Sequence, residues 1–302
     1  MTSSLPFDRP GRFWKTNLHS HTTRSDGKLT PAELTTIYRE QGYHALAITD
    51  HYLERYGFPI VDTTQYRTDN FTTLLGAELH GPGLMFGDWH ILAVGLPADF
   101  AHATPGETGP EIAKRASDAG AFVAIAHPAW YSLMWEKAKE IDFADAVEVW
   151  NTTCHYDNDR AESWYLADHF LMTGHRPFAI ATDDAHCSIR PDTFGGWTMV
   201  KAESLEPDAL LAALKAGHFY ASTGPDLHNV AIEGDKIVVE TSPARVIYAT
   251  GAGAIHRDVM GGGITRAEFD IEPFVSSYAR ITVLGQDGGK AWSNAIFFDD
   301  QK

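Results

Sequence analysis

The sequence predicts an α/β fold, in which strands and helices alternate to form a barrel and a small β region follows. Two observations support this prediction. Over residues 15–222, short apolar runs alternate with helical patterns, which is typical of βα units. After Gly224-Pro225 the pattern changes to short runs of alternating polarity separated by turns, which indicates antiparallel strands. We therefore expect a barrel domain at residues 1–224 and a small β-sandwich-like domain at residues 225–302.

Apolar runs supply the candidate barrel strands, and helical segments separate several of them. Thr30, Pro31 and Glu33 form a capping-box sequence with proline in the first turn, so we expect a helix to start there. Three further helices are expected, each followed by a glycine that suits a left-handed cap. The strands are predicted at residues 16–18, 45–48, 73–75, 91–94, 122–125, 146–149 and 178–181, and the three further helices at residues 110–119, 159–173 and 207–216.

The composition favours a globular protein that acts on a small molecule. Hydrophobic residues make up 44% of the 302 residues and charged residues 21%, which is enough apolar side chain for a full core. The formal net charge is -16. Nucleic-acid polymers and anionic membranes are captured by basic surfaces, so we expect neither as a partner. A small-molecule substrate is expected instead, and the sequence leaves the oligomeric state open.

The sequence does not show the patterns that are typical of an exported protein. Residues 1–10 lack the apolar run of a signal peptide, and no later segment approaches a membrane span. Cys154 and Cys187 have neither the spacing of a disulfide framework nor that of a zinc knuckle, which suits a reducing compartment. We therefore expect a cytoplasmic protein.

Histidines and acids recur where the predicted strands end. His19 and His21 follow the first strand, where alternate positions can aim two imidazoles at one ion. Asp26 follows in a polar turn, where its alternative role is that of a turn-forming residue before glycine. A lone histidine beside a strand is usually structural, but here the pattern repeats. The other members that follow strands are Asp50-His51, Glu78, His127 and Asp183-Asp184-Ala185-His186, and His90 directly precedes the strand at residues 91–94.

Barrel geometry explains how such distant residues could form one site. In a parallel barrel the loops at the carboxyl ends of the strands converge on one face. Six histidines and several acids would then share one opening. Nitrogen and oxygen donors without thiolate suit zinc, manganese or iron. The recurrence therefore predicts a metal site.

These motifs resemble those of the PHP (polymerase and histidinol phosphatase) family of metal-dependent hydrolases. The match covers about the first two thirds of the chain, in the family's order. It implies a distorted (β/α)7 barrel that holds two or three divalent metal ions. The matching motifs are His19-x-His21 with Asp26, Thr49-Asp50-His51, Glu78 followed by His90, Ala126-His127-Pro128, and Asp184-x-His186.

The resemblance also implies a set of metal ligands. Glu78 would bridge two of the ions. Asp184 is preferred to Asp183 because it preserves the Asp-x-His spacing, which leaves Asp183 as a supporting or reserve residue. The implied ligands are His19, His21, Asp26, His51, Glu78, His90, His127, Asp184 and His186.

The expected activity is hydrolysis of a small phosphoester by a hydroxide that bridges the metal ions. The C-terminal β region and residues 217–225 are more similar to the carbaryl-hydrolase-like subgroup than to the histidinol phosphatases. That subgroup implies an alternative, which is cleavage of a carboxylic ester or a carbamate at the same metals. A distant alternative is a non-catalytic protein in which the metals stabilise the barrel and the β region binds a partner.

Four further residues are candidates for contact with the substrate. Arg24 and Arg190 could clamp a phosphate or carboxylate through two hydrogen bonds, or each could be a surface arginine. Asn151 follows a predicted strand and is a candidate substrate-binding residue. His155 is a candidate general acid for the leaving group. The remaining histidines, His80 among them, are expected to be exposed or structural.

Overall fold

The structure, a computed structural model, describes residues 5–85 and 87–298. Residues 1–4 and 299–302, at the outer ends of the two predicted domains, lie outside this part of the chain. Short helices flank one large mixed sheet, which confirms the α/β class. Among the described residues, no helix is both long and apolar enough to span a membrane.

Short elements make up most of the fold. The helices are α1 Pro31–Glu40, α2 Gly109–Asp118, α3 Trp135–Ala138, α4 Thr152–Asn158, α5 Trp164–Met172 and α6 Pro207–Lys215. The strands are β1 Arg12–Asn17, β2 Ala45–Ile48, β3 His51–Tyr52, β4 Thr72–Gly81, β5 Trp89–Val94, β6 Phe122–Ile125, β7 Ala146–Asn151, β8 Phe178–Thr182, β9 Trp197–Ala202, β10 Phe219–Ser222, β11 Leu227–Glu233, β12 Lys236–Thr250, β13 His256–Asp270, β14 Tyr278–Gly285, β15 Lys290–Ser293 and β16 Ile296–Phe297.

The helix signals of the sequence are largely confirmed. Thr30 caps α1, and Glu33 completes the predicted capping box. Gly120, Gly174 and Gly217 follow α2, α5 and α6 with positive φ angles of 92°, 91° and 72°, as a left-handed cap requires. The helix predicted to begin at residue 159 begins at Trp164 instead. Just before this helix, Glu162 forms an isolated antiparallel bridge with Trp150.

The sheet combines parallel and antiparallel pairs. Its strand order is β11-β12-β14-β15-β10-β9-β1-β2-β4-β5-β6-β7-β8, and β13, β16 and β3 pair with β12, β14 and β4. The pairs β1–β2, β2–β4, β6–β7 and β7–β8 are parallel. In contrast, β4–β5, β5–β6 and β1–β9 are antiparallel. The sheet is therefore more mixed than a simple repeat of βα units predicts.

The sheet is open at β8, where the strand order of the described residues ends. The side chain of Asn294 crosses from this edge to the loop and strand around β10. Its Oδ1 accepts the backbone N–H of Ala179 at 2.9 Å. Its Nδ2 donates to the carbonyls of Gly217 and Phe219 at 3.0 and 3.1 Å. Closure into a (β/α)7 barrel remains a prediction.

The C-terminal strands continue the same sheet and bury their own apolar cluster. β15 pairs antiparallel with β10, so backbone hydrogen bonds join the two parts of the chain. Ile237, Ile247, Ile281 and Phe274 are fully buried in this cluster. The antiparallel character predicted after residue 224 is thus confirmed. The division into domains at residues 224 and 225 remains a prediction.

Replacing Asn294 with alanine tests whether this side chain holds the β8 edge. The change removes three buried hydrogen bonds, each worth roughly 1 kcal/mol. We expect the free energy of unfolding in urea to fall by about 2–4 kcal/mol. Asn70→Ala, in an exposed turn, should change it little. Equal stabilities of the two variants would contradict this role.

Candidate metal centre

The structure brings all nine predicted ligands together in one cluster. His19 and His21 follow β1, and Glu78 lies within β4. Overlapping groups of three or four donor atoms lie within 4.8 Å of one another. These groups are His21, Asp26, His51 and His186; His19, His127 and Asp184; His19, His21 and Glu78; His51, Glu78 and His80; and Glu78, His90 and His127.

Glu78 lies at the centre of the cluster, and its two oxygens face different histidines. Oε1 is 2.8 Å from Nδ1 of His90 and 3.2 Å from Nε2 of His127. Oε2 is 2.6 Å from Nδ1 of His51 and 3.6 Å from Nε2 of His21. The carboxylate is buried. One side chain therefore joins donors from several strands.

Asp184 is the second buried carboxylate of the cluster. Its Oδ1 is 2.9 Å from Nε2 of His21 and 3.1 Å from Nε2 of His19. Its backbone adopts a left-handed φ of 55°, which is unfavourable for a residue other than glycine. His127, with φ of 26°, shares this feature. Such strained backbone tends to lie where a side chain must be aimed at a site.

A more accessible group of donors forms the outer edge of the cluster. Oδ1 of Asp26 is 3.4 Å from Nε2 of His51 and 3.4 Å from Nε2 of His186. The Asp26 side chain is 41% exposed, whereas Glu78 and His21 are buried. The cluster thus has a closed inner part and an open outer part.

Unpartnered polar atoms show that the residues suit a cation. Nε2 of His19, both ring nitrogens of His21, Oε2 of Glu78 and Oδ1 of Asp184 are buried without a hydrogen-bond partner among the described residues. Such atoms are costly when they are left unsatisfied. Imidazole nitrogens and carboxylate oxygens that point to a common centre are the donors that divalent metals take. The site therefore fits metal ions.

Burial and close neighbours shift the pKa values of the cluster in opposite directions. Burial, opposed by Glu78, lowers the pKa of His90 to about 4. Burial also disfavours the charged form of His51, but Glu78 and Asp26 raise its pKa to about 10. These directions describe the cluster without bound cations. A cation that binds there displaces protons from such groups.

Glu148 is a buried carboxylate that the sequence reasoning missed. It accepts hydrogen bonds from Nδ1 of His19 at 3.0 Å, the backbone N–H of His127 at 2.6 Å, Nδ2 of Asn151 at 3.0 Å and the hydroxyl of Thr182. A carboxylate bonded to the far nitrogen of a metal-binding histidine orients that ring. The available signal was an acid in the middle of an apolar strand, which needs buried partners.

The structure separates the roles of Asp183 and Asp184. Asp183 accepts the hydroxyl of Tyr38 at 2.7 Å and the backbone N–H groups of residues 194–196 at 2.8 to 2.9 Å. Its carboxylate is therefore committed to holding a loop. Asp184 alone of the two faces the histidines, in agreement with the preference based on spacing.

Asp50 plays a similar part for the loop that carries Asp26. Its two oxygens accept the backbone N–H and the hydroxyl of Thr22, both at 2.7 Å. Oδ1 also accepts the hydroxyl of Ser25 at 2.6 Å. Asp50 thus fixes the turn, while the next residue, His51, faces the cluster.

His80 is a further residue that the sequence reasoning assigned to the exposed or structural histidines. It is buried, and its Nε2 lies 2.9 Å from Nδ1 of His51. The missed signal was its position two residues after Glu78, because alternate residues of a strand share a face. His80 belongs to one of the donor groups.

The residues predicted to contact the substrate lie in different parts of the structure. Arg190 lines the cavity of about 450 Å³ that contains part of the cluster, and it pairs there with Asp157. Arg24 is exposed and does not line that cavity. Asn151 is buried, and its amide donates to Glu148 and Asp184 at 3.0 and 3.1 Å. Its Nδ2 is therefore used in hydrogen bonds to these two carboxylates.

His155 lies outside the cavity that contains the cluster. It is exposed on α4 and lines a separate, larger cavity of about 1110 Å³, with Trp150 and Tyr165. This larger cavity does not contain the metal-binding groups. The structure does not bring His155 to the predicted ligands.

Similarity to known proteins is limited in sequence and clearer in fold. No known family profile matches the chain. An uncharacterized protein of Methanocaldococcus jannaschii is 27% identical over 229 residues, which span 73% of this chain and 96% of that protein.

One solved structure aligns over nearly the whole chain. It is a two-domain protein from Bacteroides vulgatus that contains a predicted PHP-like metal-dependent phosphoesterase. The alignment covers 96% of this chain and 98% of that chain, with a TM-score of 0.51 and 15% identity. The two proteins share a fold. A proposed metal-dependent phosphoesterase from Bifidobacterium adolescentis aligns over 58% of this chain and 89% of its own, with a TM-score of 0.46 and 18% identity.

The neighbouring acids Asp183 and Asp184 allow a matched test of the site. Asp183→Asn places an amide against several hydrogen-bond donors, so we expect a loss of about 2–4 kcal/mol in the free energy of unfolding. Asp184→Asn should lower the free energy of unfolding less. Both values are measured by urea denaturation in the presence of a chelator. Addition of Mn²⁺ should raise the Tm of Asp183→Asn but raise that of Asp184→Asn much less. The reverse pattern would contradict the assignment of the two acids.

Glu148→Gln tests whether the buried carboxylate supports the histidines. Loss of such an outer partner typically weakens metal binding about 10–100-fold. We therefore expect the zinc affinity of Glu148→Gln, measured by competition with a chromogenic chelator, to fall by that factor. Glu162→Gln, which removes an exposed carboxylate paired with Lys290, is the control. Unchanged zinc affinity in Glu148→Gln would show that this carboxylate does not support the site.

Proposed function

We propose that the chain is a metal-dependent hydrolase of the PHP family and that it cleaves a small phosphoester. The observation that carries this proposal is the convergence of unpartnered histidine and carboxylate atoms on Glu78 and Asp184. Clusters of this kind are found at hydrolytic metal sites. The similarity in fold to the protein from Bacteroides vulgatus agrees with this assignment.

The overlapping donor groups support a centre of two or three divalent ions, which could be zinc, manganese or iron. One ion would take His90, His127 and Oε1 of Glu78. A second would take His19, His21 and Asp184, with Oε2 of Glu78. The opposite orientation of the two Glu78 oxygens supports a bridging role for this residue. The third group is Asp26, His51 and His186.

The ions would activate water as the nucleophile and neutralise charge that develops on the ester. The protein's own residues supply the remaining functions. Glu148 and Asn151 hold the donors in place through hydrogen bonds. Trp130 forms a wall of the cavity, with its ring 5.5 Å from those of His90 and His127.

Two cationic side chains favour a phosphoester over an uncharged ester. Lys28 and Arg190 line the same cavity as the cluster, and both bind phosphate oxygens readily. Asp157 pairs with Arg190 and accepts the indole N–H of Trp130 at 3.1 Å. This bridge would hold Arg190 at the cavity until a substrate anion competes for it.

The fold part of the proposal is a distorted (β/α)7 barrel at residues 1–224 and a separate small β domain at residues 225–302. The four parallel pairs support the barrel. The bonds of Asn294 across the open edge support its closure. The distinct apolar cluster of the C-terminal strands supports the second domain.

The test is hydrolysis of nitrophenyl phosphate after chelation and re-addition of manganese, zinc or iron. We expect metal-restored phosphate release, and a loss of more than about 100-fold in Glu78→Gln, because a direct donor should matter more than its outer partners. Glu54→Gln, a control at an exposed position, should keep the activity. Restored cleavage of nitrophenyl acetate alone would favour an ester or carbamate hydrolase of the carbaryl-hydrolase-like type. Tightly bound ions without either activity would contradict a hydrolase.

A further inference from the structure

Each ring nitrogen of His51 faces a different set of partners. Nε2 faces Asp26 at 3.4 Å and belongs with the outer donor group. Nδ1 faces Oε2 of Glu78 at 2.6 Å and Nε2 of His80 at 2.9 Å. A neutral imidazole has one lone pair and one N–H, so only one of its nitrogens can bind an ion.

Binding of the outer ion fixes which nitrogen carries the proton, because an ion that takes the lone pair of Nε2 leaves the proton of a neutral imidazole on Nδ1. The contact between Nδ1 of His51 and Nε2 of His80 meets the criteria for a hydrogen bond. Oε2 of Glu78, although closer, has no hydrogen-bond partner among the described residues. In the form of His51 that binds the ion through Nε2, Nδ1–H is directed to His80. The lone pair of Nε2 is left for the outer group.

We propose that His80 is a positioning residue, which accepts Nδ1–H of His51 and so holds Nε2 of His51 toward an outer metal ion. This inference rests on the proposed metal-dependent function and identifies a residue outside the nine expected ligands. Metal-binding histidines commonly donate their second ring N–H to such an acceptor. Here the acceptor is an imidazole.

The hydrogen bonds available to His80 are consistent with this role. If Nε2 accepts from His51, then Nδ1 of His80 carries its proton. The His80 ring also lines a separate cavity of about 320 Å³, with Tyr52 and Glu107. Water in that cavity can accept the Nδ1 proton. The ring thus reaches the cluster with one nitrogen and can be hydrated at the other.

His19 and His51 differ in the strength of this support. His19 donates Nδ1–H to Glu148, a fully buried carboxylate, and a carboxylate partner raises the basicity of the ring. The neutral imidazole of His80 raises the basicity of the His51 ring less. The outer group is also more exposed, through Asp26. The outer ion is therefore the one that exchanges most readily, and His80 sets its affinity.

Titration of the metal-free full-length chain with Co²⁺ tests this role by the number of bound ions and their affinities. Equilibrium dialysis with elemental analysis gives both without an activity assay. In His80→Ala we expect the affinity of the weakest ion to fall about 10–100-fold, the usual effect of losing an outer partner, while the tighter ions stay bound. In His80→Gln the side-chain oxygen can accept from His51, so binding should stay close to that of the wild type.

His102→Ala is the matched control, because that exposed ring stacks on Phe58 and lies outside the donor groups. Three results would overturn the role of His80: unchanged binding in His80→Ala, equal weakening of every ion, or a His80→Gln variant as weak as His80→Ala. The last result would identify His80 as a direct ligand. A wild-type chain that binds no Co²⁺ would overturn the proposed function as well. Urea denaturation in chelator should confirm that His80→Gln is folded.

Discussion

The rest of the site depends on the burial of three carboxylates, which are Glu78 in β4, Glu148 in β7 and Asp184 just after β8. A buried carboxylate costs several kcal/mol unless hydrogen bonds or opposite charges compensate it. Glu148 receives four hydrogen bonds and is satisfied by the protein alone. Glu78 and Asp184 each keep an oxygen without a partner in the described chain. Their compensation must come from protonated histidines or from cations, and the surrounding imidazoles suit both.

Pairs of adjacent residues explain how loops present these groups accurately. In Asp50-His51 and Asp183-Asp184, the first residue ties down backbone and hydroxyl groups of nearby loops. The second residue points into the cluster. Because its neighbour anchors the chain, a loop residue can adopt a strained backbone conformation, as Asp184 does. The same logic makes the first acids important for stability and the second residues important for binding.

The sequence predicted much of the cluster but little of the strand pairing. Polar residues beside apolar runs, together with the resemblance to the PHP family, identified the nine converging residues. Glu148 and His80 lie inside strands, and their signals, an acid within an apolar run and a position two residues after Glu78, do not name the partners that define their roles. The antiparallel pairing of β4 with β5 was missed because an apolar run does not encode the direction of its neighbour. Asn151 ends β7 and bonds to Glu148 and Asp184, whereas His155 lies on α4 and lines a different cavity.

Anomalous X-ray diffraction from crystals grown with zinc or manganese tests the central claim most directly. The account predicts strong anomalous peaks on both sides of Glu78, each within about 2.0–2.3 Å of histidine nitrogen and carboxylate oxygen atoms. The outer peak, beside Asp26 and His186, should be weaker. A cluster without anomalous peaks, in which Glu78 and Asp184 make only hydrogen bonds to the histidines, would contradict a metal centre at this site.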